Sequence, residues 1–185
     1  MRYLFITFFI ISCSYEKYES SDQPPAAGEC IDGISTYTIN GEEVQFECNG
    51  YDLLGHVSLE QMNAESGNDC WGWTDAVTGK EYALMGLDNG TGMIDISDPF
   101  NPNYLGKIPT ATLSSTWRDI KVYKDHAFIV SEAAGHGMQI FDLSKLRDVS
   151  DVQEYQTDQL YEGYGHSHNI ACLLYTSDAA DDRNC

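Results

Sequence analysis

The feature that most limits what this chain can fold into is a repeat. Tyr82-Ala83-Leu84-Met85, an unbroken apolar run, is followed by the turn Asp88-Asn89-Gly90 and a returning strand, Met93-Ile94-Asp95-Ile96-Ser97. The same order comes again as His126-Ala127-Phe128-Ile129-Val130, a loop at Gly135-His136-Gly137, and Met138-Gln139-Ile140-Phe141-Asp142-Leu143-Ser144. The copies are offset by 44 residues at Ala83/Ala127 and by 47 at Asp95/Asp142. Each has a strand upstream, at Trp71-Gly72-Trp73 and at Trp117 to Val122, and a third copy starts at His168-Asn169-Ile170. Short apolar runs broken by Gly, Asn, Asp and Pro, with no sustained helical period, predict an all-β protein. Units of roughly 40 to 50 residues holding several strands have the length of β-propeller blades. A propeller needs about four to eight blades, and an open ring leaves sheet faces and edges uncovered. The expectation is a β-propeller fragment of about two blades plus the first strand of a third.

Ahead of the repeat, Arg2 and the apolar run Tyr3 to Ile11 have the pattern of an export signal, too short to span a bilayer. Ile10-Ile11-Ser12-Cys13 resembles a bacterial lipobox with Cys13 as the lipid-attachment residue; the other reading is an ordinary signal peptide with a leftover cysteine. Residues 1–12 are read as the signal and 13–28 as an acidic tether. From Tyr18 to Gly79 there are 12 acids and no Lys or Arg, and the whole chain carries 29 Asp+Glu against 10 Lys+Arg, a net charge of −19. That charge excludes a nucleic-acid binder held by phosphate contacts, and 12% aromatic residues with 16 glycines argue against a disordered acidic tail. The expected location is outside the cytoplasm, at an outer membrane or cell surface, with membrane contact only through the lipid.

Residues 29–66 form a segment with two local signals. Cys30 and Cys48 flank a loop rich in turn formers, and the oxidising setting favours a disulfide between them. Ser58 and Gln61 stand at capping-box spacing, which predicts a short helix within Val57 to Met62. Cys70 is left over, either as a buried free thiol or as the partner of a cysteine elsewhere. The propeller is expected over 67–171. Beyond Ala171, the run Cys172-Leu173-Leu174-Tyr175-Thr176-Ser177-Asp178-Ala179-Ala180-Asp181-Asp182 abandons the preceding pattern and resembles translated sequencing-adapter DNA, so 172–185 is set aside from fold reasoning; the other reading is a natural acidic tail.

Five motifs carry a family likeness: Gly67-Asn68-Asp69-Cys70-Trp71-Gly72-Trp73-Thr74-Asp75, Lys80-Glu81-Tyr82-Ala83, Asp95-Ile96-Ser97-Asp98-Pro99, Trp117-Arg118-Asp119-Ile120-Lys121-Val122 and Ser131-Glu132-Ala133-Ala134-Gly135-His136-Gly137-Met138. Together, over about Cys48 to Ala171, they resemble the choice-of-anchor B family with LVIVD-type repeats. The resemblance implies an exported or surface-attached bacterial β-propeller and brings no established activity. The chain departs from the pattern at His166-Ser167-His168-Asn169, where a single His before Asn is expected.

Blade loops are where a propeller places binding residues. The candidate binding surface is Trp117, Arg118, Asp119, His136 and His168. Asp119, Glu132, His136, His166 and His168 are the candidates for a divalent metal site of nitrogen and oxygen ligands. Two structural readings stand beside these: Gly135-His136-Gly137 as a tight turn, and Arg118-Asp119 as an ion pair tying neighbouring blades. Trp71, Trp73 and Trp117 stack sugar rings on a surface or wedge the core between sheets. The side chains of Asp98 and Asn101 are expected to bond their own turn rather than calcium. No nucleophile-elbow or phosphate-loop motif is present. The leading functional expectation is a scaffold binding a protein or glycan ligand. The alternatives are a metal-dependent enzyme with its site at the channel mouth, and a structural envelope protein.

Overall fold

The computed structural model describes residues 28–39 and 41–171. The export signal, Cys13, nearly all of the tether and 172–185 lie outside the described residues. The described part is all-β, in three sheets, none closed into a barrel.

The first sheet is a small antiparallel one of β1 (Cys30–Ile31), β2 (Ile34–Ile39) and β3 (Glu42–Glu47). Cys30 and Cys48 are disulfide-bonded with Cα atoms 5.9 Å apart, and the Cys48 N–H donates to Gly33 O at 2.9 Å.

The second sheet takes β4 (Gly67–Thr74), β5 (Glu81–Leu87), β6 (Gly90–Asp95) and β7 (Asn103–Pro109) in sequence order, all antiparallel. The third repeats this plan with β8 (Arg118–Tyr123), β9 (His126–Ser131), β10 (Met138–Asp142) and β12 (Gln159–Tyr161). Between β10 and β12 the chain crosses back, and β11 (Gln153–Glu154) pairs parallel with β7. The first strands, β4 and β8, lie side by side, and one core fills the space between the sheets. Trp73, Tyr82, Leu84, Met93, Leu105 and Ile108 meet Ile120, Ala127, Ile129, Phe141 and Leu143 there. The apolar run in β5 has a simple cause, since both of its faces are covered. Tyr82 and Leu84 face the third sheet, while Ala83, Met85 and Leu87 face Val57, Met62 and Ala64.

Several local expectations change in detail. The returning strand β6 begins at Gly90, three residues earlier than its apolar run, and stops at Asp95. Gly90 serves close approach rather than a left-handed turn: a Cβ there would lie 2.3 Å from Ile108 O. The hairpin with left-handed residues at both central positions, as in a type I′ turn, is Lys124-Asp125 (φ 46° and 58°). The expected helix at Val57–Met62 is a single turn. Its capping box forms, with Ser58 N–H donating to Gln61 Oε1 at 2.8 Å and Gln61 N–H to Ser58 Oγ at 3.1 Å. Asn63, at φ 48°, then ends it, and Lys107 Nζ donates to the Met62 and Asn63 carbonyls at 3.2 and 2.9 Å. The strand expected over Met138–Ser144 stops at Asp142, whose side chain accepts from Ser144 N–H and caps a 3-10 turn, Leu143–Leu146, with both leucines buried. No strand forms at His168–Ile170. Cys70 is exposed, not buried, because at its place on β4 the side chain points away from the core.

Candidate functional site

Strand alternation separates the candidates on β8. Arg118 shares a face with Ile120 and points into the space between the sheets, while Asp119 points to the other face with Lys121. The expected Arg118-Asp119 ion pair therefore does not form, and each residue makes its own tie.

Arg118 is 1% exposed. Its Nε–H donates to Leu87 O at 2.9 Å, its backbone N–H to Asn68 Oδ1 at 3.2 Å, and its Nη1 lies 3.0 Å from His136 Nε2. Its Nη2 has no hydrogen-bond acceptor among the described residues. Burial pulls the guanidinium down to about 10, with Asp88 partly offsetting the shift. His136 is fully buried, and its Nδ1 lies 3.0 Å from Gly137 O. A carbonyl can only accept, so Nδ1 carries the proton and Nε2 accepts from Arg118. The ring is neutral in this arrangement. Burial lowers its pKa below 6.5, and Arg118 adds to that, against the Gly137 hydrogen bond and the neighbouring Gln139 side chain.

Asp119 forms the second tie. Its Oδ1 is 2.5 Å from Lys121 Nζ, and its Oδ2 accepts from Ile170 N–H at 2.8 Å and Asn169 Nδ2 at 3.3 Å. Burial alone would raise the carboxyl, but Lys121, Asp69 and the Ile170 N–H overbalance it and hold the pKa at about 2. Asp69 makes the matching bond one unit earlier, its Oδ2 accepting from Ile120 N–H at 2.9 Å. Both bonds span 51 residues. Asp69 sits at φ 59° in a bulge of β4, and its pKa is raised by burial and then by its hydrogen bond with Asp119.

The exposed part of the site lies beside these ties. Trp117 is 48% exposed, and its ring centroid is 5.5 Å from that of His168, tilted by 49°. His168 Nδ1 is 2.7 Å from Glu132 Oε1. Main-chain bonds hold the three together: Glu132 N–H donates to Trp117 O at 3.2 Å, Ser167 N–H to Ser131 O at 3.0 Å, and Gly137 N–H to Gly165 O at 3.3 Å. His166 is exposed on the same segment.

The five metal candidates are not gathered. Among the described residues no group of three or more His, Cys, Asp or Glu side chains is placed to hold a metal ion. Both nitrogens of His136 are engaged, Asp119 faces Lys121, and His168 pairs with Glu132. Of the tryptophans, Trp73 is buried and stacks on Tyr82 at 5.0 Å, and Trp71 lies half-buried under Lys121 Nζ at 4.4 Å. Trp117 alone of the three is exposed. Asp98 bonds its own turn, accepting from Phe100 N–H at 3.0 Å and Asn101 Nδ2 at 2.8 Å.

Sequence reasoning passed over Asp69, Lys121 and the anchoring carbonyls and amides of 165–167. One signal was available for the first: Asn68-Asp69, Arg118-Asp119 and His168-Asn169 recur at a spacing of 50, longer than the strand offsets suggest. No family model, no curated protein and no solved structure matches this chain.

Proposed function

We propose that the chain is an exported, lipid-anchored β-propeller of choice-of-anchor B type, serving as a scaffold that binds a protein or glycan ligand at the surface formed by Trp117, Glu132 and His168. The observation that carries this reading is the half-exposed Trp117 ring beside the His168–Glu132 pair, all fixed by main-chain bonds to rigid strands. A large aromatic with one free face, next to a polar pair on hydrogen-bonded backbone, suits recognition of a ligand. The propeller reading is supported by two successive four-strand meanders packed on one core and by the recurrence of the Asp69–Ile120 bond at Asp119–Ile170. An apolar groove of about 220 Å³ lined by Lys121, Tyr123, Phe128, Met138, Ile170 and Ala171 suits the packing of a further sheet on the outer face of β8–β10. Export and anchoring rest on the sequence alone.

The test is a glycan and peptide array probed with the full chain and with Trp117→Ala. Binding that disappears in the variant supports the proposal. No binding to either array, or equal binding by both proteins, counts against it. No observation favours the metal-dependent enzyme, since the imidazole nitrogens of His136 are occupied by Arg118 and Gly137.

A further inference from the structure

We infer that the Arg118–His136 hydrogen bond is a proton-operated clasp that sets the position of the Glu132–His168 surface. The regulated surface rests on the binding role proposed above, but the clasp itself does not.

The neutral ring joins two bodies. On one side Nε2 accepts from Arg118, whose Nε–H is tied to Leu87 O of the second sheet. On the other, Nδ1–H donates to Gly137 O, and the His136 N–H donates to Ala133 O at 3.1 Å. Gly135 and Gly137 flank the ring at φ 74° and 61°, left-handed values that let the chain make this corner. Gly137 packs closely against β12, where a Cβ would meet Tyr161 O at 2.3 Å. The Gly137 N–H then holds Gly165 O, and two residues on, Ser167 is bonded to Ser131. Glu132 and His168 are thus carried by the two stretches of chain that the corner holds together.

A proton added at Nε2 turns the acceptor into a donor. Two N–H groups and two positive charges would then meet across 3.0 Å with no water between them. Arg118 faces the ring from β8 and Gly137 O from the ring's own loop. Gln139 faces it from β10, and the Asp88 carboxylate, from the β5–β6 turn, acts on Arg118. Among the described residues, none of the groups that shift the ring is a carboxylate. Gln139 supplies the alternative: its Oε1 is buried without a hydrogen-bond partner, while its Nε2 is held by Pro109 O and Thr157 Oγ1 and so fixes which end faces inward. The protonated ring leaves Arg118 for Gln139 Oε1, and the 133–137 corner moves with it. The device has two partners for two protonation states, as a histidine switch requires.

The experiment is amide hydrogen exchange on the full chain, without ligand, compared at about pH 7.5 and about pH 5 after correction for intrinsic rates. Protection at Gly137 and Ser167 is expected to fall by about tenfold on acidification, while β5 and β9 keep theirs. His136→Gln, whose side-chain oxygen accepts from Arg118 without titrating, is expected to lose this pH dependence. NMR titration of the His136 ring in the native sequence keeps the test decisive should the variant fail to fold. A ring that does not titrate together with the Gly137 amide overturns the inference, as does exchange at Gly137 and Ser167 that is the same at both pH values. Failure of the arrays to find a ligand removes the binding proposal and leaves this result standing.

Discussion

The indole N–H of Trp73 donates to Asp125 Oδ1 at 3.0 Å, joining residues 52 apart in the chain. The bond pins the β8–β9 hairpin, in which Asp125 sits at φ 58°, to the end of β4. Trp73→Ala is expected to lower the unfolding free energy by about 3–5 kcal/mol, because it removes a buried ring stacked on Tyr82. Trp73→Phe keeps an aromatic ring on Tyr82 but loses the donor and part of the buried ring volume, for about 1–3 kcal/mol. Urea unfolding of both variants checks this, and equal losses would mean that the stack contributes nothing.

The disulfide acts locally. Cys30 and Cys48 are 18 residues apart and close only the small first sheet. Cys30→Ser with Cys48→Ser is expected to cost that sheet about 3 kcal/mol in the chain-entropy model, with exchange protection in β5, β6 and β9 unchanged. A loss of protection in those strands would show that the first sheet supports the core.

Asp119 gives the protein an acid limit. Its folded carboxyl is held at about 2, below the ordinary 3.8, so its contribution is complete above 3.8 and is lost as the pH falls toward 2. Asp69, with a raised pKa, works in the opposite direction, since its folded state binds a proton more readily. Thermal midpoints of the native sequence and Asp119→Asn between about pH 2 and pH 7 are expected to differ most at neutral pH and to converge in acid.

Arg118→Met is expected to destabilise by about 2–4 kcal/mol, because Leu87 O and His136 Nε2 both lose their buried donor. It should also raise the His136 pKa toward 6.5, since the guanidinium is one of the groups that lowers it. The sign follows for stability. A ring held neutral below 6.5 in the fold binds fewer protons than in the unfolded chain, so stability falls as the pH drops below 6.5. Ring titration by NMR measures the shift, and an unchanged value would place Arg118's charge too far away to matter.

Trp117→Ala should leave stability within about 0.5 kcal/mol, as expected for an exposed side chain away from the core. Its predicted effect is on ligand capture alone. A large drop in the thermal midpoint would assign Trp117 a packing role.

Much of the local structure was legible along the chain. The meander strands follow from short apolar runs bounded by turn residues, and the Ser58–Gln61 capping bonds and the Asp98 turn form as their spacing predicts. These are short-range effects, fixed by neighbours within a few residues. The site was legible only as a set of residue types. Trp73 and Trp117 look alike in the sequence, yet one is buried and the other exposed, because Trp73 lies within β4 on its core-facing side while Trp117 stands just before the first residue of β8. Nor did the five metal candidates carry any mark that the fold would disperse them.

By itself, then, the sequence determined an acidic all-β chain built on a repeated strand plan, since periodicity and turn chemistry act locally. The tertiary structure alone decided that Arg118 meets a neutral histidine, that Asp119 ties Ile170 instead of Arg118, and that Glu132 and His168 form the exposed pair. Burial and partner are set by residues 18 to 51 positions apart, brought together only when one sheet packs on another.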